Sequence, residues 1–464
     1  MPLTKKQTEQ ALKNSIKDGA AFSAMDGMTS TYTTPFALAL GANNAEVGIL
    51  NSIPNFFATI LQIFAGKYIE KRGRKKVAVN LSIIQRFTWL FIAIIPLIFF
   101  EQRLWLFILL VTISYALLSF ASTAWSAWIG NIVPEKIRGS FFGKRNTIQS
   151  ALSFFTTLLG GWILGLTNNL IGFSLVFFIA FVFGLIAYSY LIKIPEVSIE
   201  GKHNKNALNV LGFVKKFKKY RNFYPFTIHM SLMSFAVNIA SPFFTVYMLN
   251  VLKVGYEWYA IVIAVEVLMR IFMQTYWGRI SDKYGDRAVL IICNILIVFY
   301  PFCWFFVTNP FQIIFISIFS GIGWAGFDLA SFNYLLDVTP PDERPSYISR
   351  YKIFTGMALF LGALAGGFLA QYSSNLIFLW FRGLQIVFLA SFILRGLFSI
   401  YGISGIQEVR VKSEVLPVKD VFLKAFTTYP TRGISNELVY VHDQIGTWRN
   451  NVRRKIKNNL KEIM

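Results

Sequence analysis

Gly66-Lys67-Tyr68-Ile69-Glu70-Lys71-Arg72-Gly73-Arg74-Lys75 and, half a chain later, Gly278-Arg279-Ile280-Ser281-Asp282-Lys283-Tyr284-Gly285-Asp286-Arg287 share one pattern: Gly-x-x-x-acid-x-x-Gly followed by basic residues. Each copy joins two long apolar segments. The first glycine lets two helices approach closely, and the acid near the helix end needs a cationic or dipolar partner. The second glycine turns the chain tightly. Two copies placed alike in two similar halves predict a duplicated architecture.

The rest of the chain is built for lipid. Of its 464 residues 55% are hydrophobic and only 15% charged, with 47 Phe and a mean hydropathy of +0.52, too apolar for a soluble chain of this length. A bilayer core about 30 Å thick needs about 20 apolar residues per helix. Twelve runs of that kind are found, at 18–41, 45–65, 77–99, 104–130, 141–166, 170–193, 223–250, 256–278, 287–307, 310–337, 347–371 and 376–400. The first run contains Asp26 and Pro35 and feeds directly into the second, so it is expected to stay in place and not to be cleaved as a signal peptide.

In the two loop stretches, Gly66, Glu70, Gly73, Arg74 and Lys75, and Gly278, Asp282, Gly285 and Arg287, resemble the loop-2/3 and loop-8/9 signature of the major facilitator superfamily, secondary transporters made of two six-helix halves. Glu70 stands where the family usually has Asp, which keeps the charge and alters the pairing geometry. The resemblance covers about residues 15 to 403. It implies an all-α polytopic membrane protein of twelve transmembrane helices in two six-helix pseudo-repeat halves, with spans 1, 4, 7 and 10 around a central cavity. It also implies a gating role for the signature, with Glu70 latching the halves. The corresponding division is an N-terminal half (1–193), a basic linker (194–222), a C-terminal half (223–403) and a tail (404–464).

The halves align on their own punctuation. Thr34-Pro35-Phe36 matches Ser241-Pro242-Phe243 at an offset of 207; Pro134, Arg138, Lys144 and Gly160-Gly161 match Pro340, Arg344, Arg350 and Gly366-Gly367 at 206. Repeated halves with polar positions at mid-membrane are the sequence sign of alternating access, with substrate between the halves. The paired glycines permit close helix contact, either across the halves or within one. The Gly-Pro element that proton-exchanging drug exporters of the family tend to carry in span 5 is absent around Leu159-Gly160-Gly161-Trp162.

Basic residues set the expected orientation. Lys67, Lys71, Arg72, Arg74, Lys75 and Lys76 lie between spans 2 and 3, Lys136, Arg138, Lys144 and Arg145 between 4 and 5, and Arg344, Arg350 and Lys352 between 10 and 11. The opposite side has little beyond Arg103 and Lys253. Both termini are therefore expected in the cytoplasm, with the protein in the plasma membrane. The net charge of +22 is explained by these loops and tails, which can meet anionic lipid, and nucleic-acid binding is not expected. The linker reads as a basic amphipathic helix around 207–221 on the inner leaflet, and the tail as short elements ending in a basic helix. Cys293 and Cys303 share one run and support neither a disulfide scaffold nor a metal site. No cofactor is expected, and the chain is expected to act as a monomer.

An ionisable side chain at the helix centre costs about 2.5–3.5 kcal/mol on insertion scales, so such residues face a cavity or a partner. Asp26 sits in span 1 among Thr29, Ser30, Thr31, Tyr32, Thr33 and Thr34. Glu266 and Arg270 lie one turn apart in span 8, as a closed pair or as a switchable one. Asp328 lies in span 10 with three glycines and with Trp324, which offers a stacking surface, and Trp125 in span 4 is placed to line the other side. Asp26, Glu266, Arg270, Asp328, Trp324 and Trp125 are the candidates for substrate or proton coupling. Arg86, Arg382 and His229 rank below them as structural residues.

These features predict a secondary active transporter of a small organic solute, coupled to protons, and not an enzyme. The alternative is a non-transporting receptor or scaffold on the same fold, signalling through its tail.

Overall fold

The computed structural model describes residues 4–98, 101–134, 137–196, 222–339, 344–374, 376–378, 381–409 and 418–427. The linker helix expected around 207–221 and the terminal basic helix lie outside these residues. Fourteen α-helices are present among them. The first seven are α1 (Lys5–Thr29), α2 (Thr33–Ala39), α3 (Asn44–Arg72), α4 (Arg74–Ile94), α5 (Arg103–Ile132), α6 (Arg138–Thr167) and α7 (Leu170–Leu191). The second seven are α8 (Phe223–Val246), α9 (Tyr256–Tyr284), α10 (Asp286–Cys303), α11 (Pro310–Asp337), α12 (Arg344–Ser373), α13 (Leu384–Gly405) and α14 (Val418–Thr427). Ten helices are long and apolar enough to span a membrane by composition alone. The broken pair α1–α2 and the more polar α3 complete the twelve, packing on α6 and α7 and on α5 and α12 respectively.

Local chemistry sets the turns. At the end carrying Asn43, asparagines cap three of the helices that start there: Asn43 accepts from the Glu46 backbone N–H, Asn169 from Gly172 and Asn309 from Gln312, each satisfying an orphan donor of the first turn. At the opposite, basic end, Gly73 and Gly285 turn the chain with φ of 89° and 94°, a region a side chain avoids. Both signatures thus lie within helices: residues 66–72 end α3 and residues 278–284 end α9.

Two expectations need correction. Span 1 is not one helix from 18 to 41, since α1 starts at Lys5 and breaks at Ser30–Tyr32. Hydroxyls there bond back to the preceding turn, Thr29 to Met25 O at 3.1 Å and Ser30 to Asp26 O at 2.8 Å, a competition that weakens helices. The last span also starts late. Ile377–Phe378 and Phe381–Arg382 form a two-residue antiparallel hairpin, β1 and β2, so Arg382 precedes α13.

The two halves meet through α3 against α12 and α6 against α9. Gly48 and Gly367 touch backbone to backbone, Gly161 lies against Ala260, and Asn44 donates to Ala370 O at 3.2 Å. Pro35 has no N–H to give Thr31 O, four residues back. That carbonyl instead accepts the Tyr259 hydroxyl of the other half at 2.9 Å. These contacts lie toward the Asn43 end. Outward-facing Phe311, Phe315 and Phe319 on α11 are all exposed at i, i+4 spacing, as expected of a lipid-facing stripe.

Candidate functional site: a charged cavity wall

The C-terminal half holds a cavity of about 490 Å³ walled by α8, α9, α10, α11 and α13. Arg270 stands on its wall between two carboxylates, 3.0 Å from Glu266 Oε1 and 3.2 Å from Asp328 Oδ2. Its guanidinium also lies 5.6 Å from the centre of the Trp324 ring. The i, i+4 spacing on α9 brings Glu266 to Arg270, and close packing brings Asp328, because Gly321 of α11 sits against Met269 and the Glu266 carbonyl. Four of the six candidates therefore form one cluster. It is not closed: the Asp328 side chain keeps 56% of its surface exposed and that of Arg270 38%. Ion pairs this open are worth about 0–1 kcal/mol, so an entering polar group can displace one partner cheaply.

Arg395 of α13 also lines this cavity and went unweighed in the sequence, although an arginine inside an apolar run carries the same signal as Arg270. It is 1% exposed and donates to Ile297 O at 2.8 Å and Val237 O at 3.3 Å. The charged side chains of the lining are thus Glu266, Asp328, Arg270 and Arg395, two of each sign.

Asp26 and Trp125 do not join this cluster. Asp26 lines a smaller cavity of about 130 Å³ inside the N-terminal half, with Gln85, Trp89, Ser114 and Tyr115. The two carboxylates expected to face a shared centre therefore occupy separate cavities. Trp125 lines a third, of about 220 Å³, where its ring lies 4.3 Å from the Arg145 guanidinium. Asp18, Arg86 and Arg145 surround it, and all three are buried. Arg145, a loop charge by its place between the apolar runs, is carried inside by α6, which begins two turns before it. Arg350 is likewise buried, within α12.

At the basic end, Arg74 donates to Ala127 O of α5 at 3.2 Å. Asp282 is exposed on the last turn of α9. Asp286, which sequence reasoning did not single out, is fully buried and accepts from the Ser281 hydroxyl and from Asn333 at 3.2 Å. Arg287 is held by the chain beyond α13, its backbone N–H on Glu408 at 3.1 Å and its Nε on Ile406 O at 2.7 Å. The side chains of Lys67 and Glu70 lie outside the described residues, and with them the proposed latch.

The family model of the Major Facilitator Superfamily matches residues 19–269 and 232–427. The chain belongs to the Major Facilitator Superfamily. A curated superfamily relative from Lactococcus lactis, a "multi-drug resistance efflux pump PmrA homolog", is 23% identical over 368 residues, covering 77% of this chain and 86% of the relative. Among solved structures, that of a mutant of the nucleoside transporter NupG superposes with a TM-score of 0.68 at 15% identity, covering 86% of this chain and all of that one. A D-xylose–proton symporter gives 0.66 at 13% identity, covering 88% and 99%. The superfamily fold expected from the loop signatures is therefore present, and the chain is a multi-pass membrane transport protein and not an enzyme.

Proposed function

We propose that this superfamily member is a secondary active transporter that carries a small polar organic solute by alternating access, coupled to protons, in the plasma membrane with its basic end and termini in the cytoplasm. The observation that supports it best is the open Glu266–Arg270–Asp328 cluster on the wall of the 490 Å³ cavity. A cavity whose charges balance suits a neutral or zwitterionic solute better than a bare ion, because no net charge has to be offset. A proton on Asp328 releases one of the two carboxylates holding Arg270, so protonation and solute entry act on the same group. The relative named as a multidrug pump and the neighbours named as nucleoside and xylose transporters bracket the solute class.

The test uses protein reconstituted into vesicles holding a pH-sensitive dye, with uridine, D-xylose, leucine and ethidium as probes. At least one neutral or zwitterionic probe is expected to move protons through the wild type. Asp328→Asn is expected to exchange that probe down its gradient without responding to pH. Flux no faster than in empty vesicles for every probe overturns the transport assignment. Normal pH-driven flux in an Asp26→Asn, Asp328→Asn double variant removes these two carboxylates as the coupling groups.

A further inference from the structure

The 220 Å³ cavity of the N-terminal half is chemically unlike the larger one. Its charged lining is Asp18, Arg86 and Arg145, one acid to two bases, and Asp18 lies within electrostatic reach of both arginines. Asp26 does not redress the balance, since it lines a separate cavity on the other side of Phe22, which borders both. The lining is also rich in donors with nothing to donate to. Arg145 commits Nε to Ser15 O at 3.2 Å and Nη1 to Gln149 Oε1 at 2.7 Å. Arg86 commits Nε to Gly184 O at 3.4 Å, and Nη1 to Ser82 O at 3.0 Å and Gln85 Oε1 at 3.2 Å. Neither Nη2 has a hydrogen-bond acceptor among the described residues. With its oxygen taken by Arg145, Gln149 is left to offer its amide N–H groups. The Trp125 indole N–H is buried without an acceptor.

We propose that this cavity binds a monovalent anion, a carboxylate on a small apolar or aromatic body being the best fit. Charge decides the sign: a buried surplus of one positive charge is costly unless an anion offsets it. Donor inventory decides the chemistry, because guanidinium and amide N–H groups on a cavity lining without a protein acceptor call for an acceptor-only ligand. Phe22, Leu118, Ala121 and Leu191 supply apolar wall for the body of the ligand. The pocket does not depend on the larger cavity, so binding here stands or falls apart from transport.

The experiment uses purified full-length protein in detergent and a chloride-free sulfate buffer, titrated with sodium benzoate, sodium chloride or neutral benzamide at constant ionic strength. Thermal unfolding and tryptophan emission are read together, since a ligand that binds only the folded state raises its apparent stability. Benzoate is expected to raise the unfolding midpoint saturably and shift the emission, while benzamide does neither. Arg145→Gln is expected to weaken benzoate binding by about tenfold or more, as loss of a charge-assisted contact does. Trp125→Phe, which keeps an aromatic ring and removes the indole N–H, weakens it by a smaller factor and serves if Arg145→Gln fails to fold. A response to benzoate alone assigns the site to an organic carboxylate. A response to chloride, with or without benzoate, assigns it to small anions generally and still supports an anion site. Equal responses to benzoate and benzamide, no saturable response to either salt, or benzoate binding unchanged in both variants overturns the proposal.

Discussion

At the scale of single residues, the glycine doublets show how the same spacing serves two contacts. Gly160 of α6 packs on Tyr32 of its own half, while Gly161 packs on Ala260 and the Tyr256 carbonyl of the other. In the second half Gly366 packs on the Ile239 carbonyl of its own half and Gly367 on Gly48 of the other. One glycine of each pair thus packs its bundle and the next joins the halves, at the repeat offset read from the sequence. Overpacking a tight contact costs about 1–3 kcal/mol, and at Gly161 it falls on the contact between the halves. Gly161→Val should therefore raise labelling of cysteines placed near Asn43, while Gly165→Ala, which first meets the flexible Glu257 side chain, should do so much less. Equal labelling in the two variants would show that α6 and α9 do not hold this end. The doublet was legible because only close approach explains paired glycines in a span. Which neighbour each one meets depends on the rotation of α6, and a single chain carries no signal for that. Arg145 was misplaced for a related reason. Charge counting assigns a basic residue near a span end to water, yet a helix starting two turns early turns that residue inward.

Among the elements, the third and sixth spans of each half are tied by an arginine on a backbone carbonyl. In the N-terminal half Arg86 of α4 reaches Gly184 O of α7, and in the C-terminal half Arg395 of α13 reaches Ile297 O of α10. The contact is shared while the arginine has changed helices, so no residue-by-residue repeat could reveal it. The strap after α13 was also hidden, because polar tail residues carry no periodic pattern. It lays Ile406 and Glu408 on Arg287 and gives Gln407 O to the Tyr334 hydroxyl at 2.7 Å. Beyond it, α14 packs on α10 with Val421 fully buried. A chain held this way should stiffen the turn between α9 and α10 and leave its N-terminal counterpart alone. Truncation after Gly405 is expected to speed amide hydrogen exchange across residues 278–290 with no change across 66–76. Unchanged exchange in the first region would mean that the strap lies on the turn without restraining it. If the truncated protein keeps its flux in vesicles, the receptor alternative loses the only element through which it would signal.

For the whole molecule, twelve spans, two halves and the polar first span were all readable, since membrane insertion leaves a strong compositional mark on every helix. The division of the intramembrane charges among three cavities was not, because it depends on which face each helix turns inward. Under the proposed alternating access, the contacts made toward the Asn43 end must break during the cycle. The polar ones are few: a hydroxyl on the carbonyl that Pro35 frees and an amide on Ala370 O, beside glycine surfaces and the ring pairs Tyr32–Tyr259 and Phe173–Tyr256. Each neutral hydrogen bond contributes about 0.5–1.5 kcal/mol net, so the polar ties add little to the cost of opening this end. A covalent tie holds it shut. With Asn44→Cys and, at the exposed neighbour of Ala370, Gln371→Cys joined by a short thiol-reactive crosslinker that reductant can cleave, solute flux in vesicles is expected to stop and to return on reduction. Cys293 is buried and Cys303 only partly exposed, and the parent protein treated alike controls for both. The tie leaves the 490 Å³ cavity intact, so a solute found by flux should still stabilise the tied protein. Full transport through the tied protein would show that this end never opens, and the two halves would then have to pass solute by some motion other than rocking about a central site.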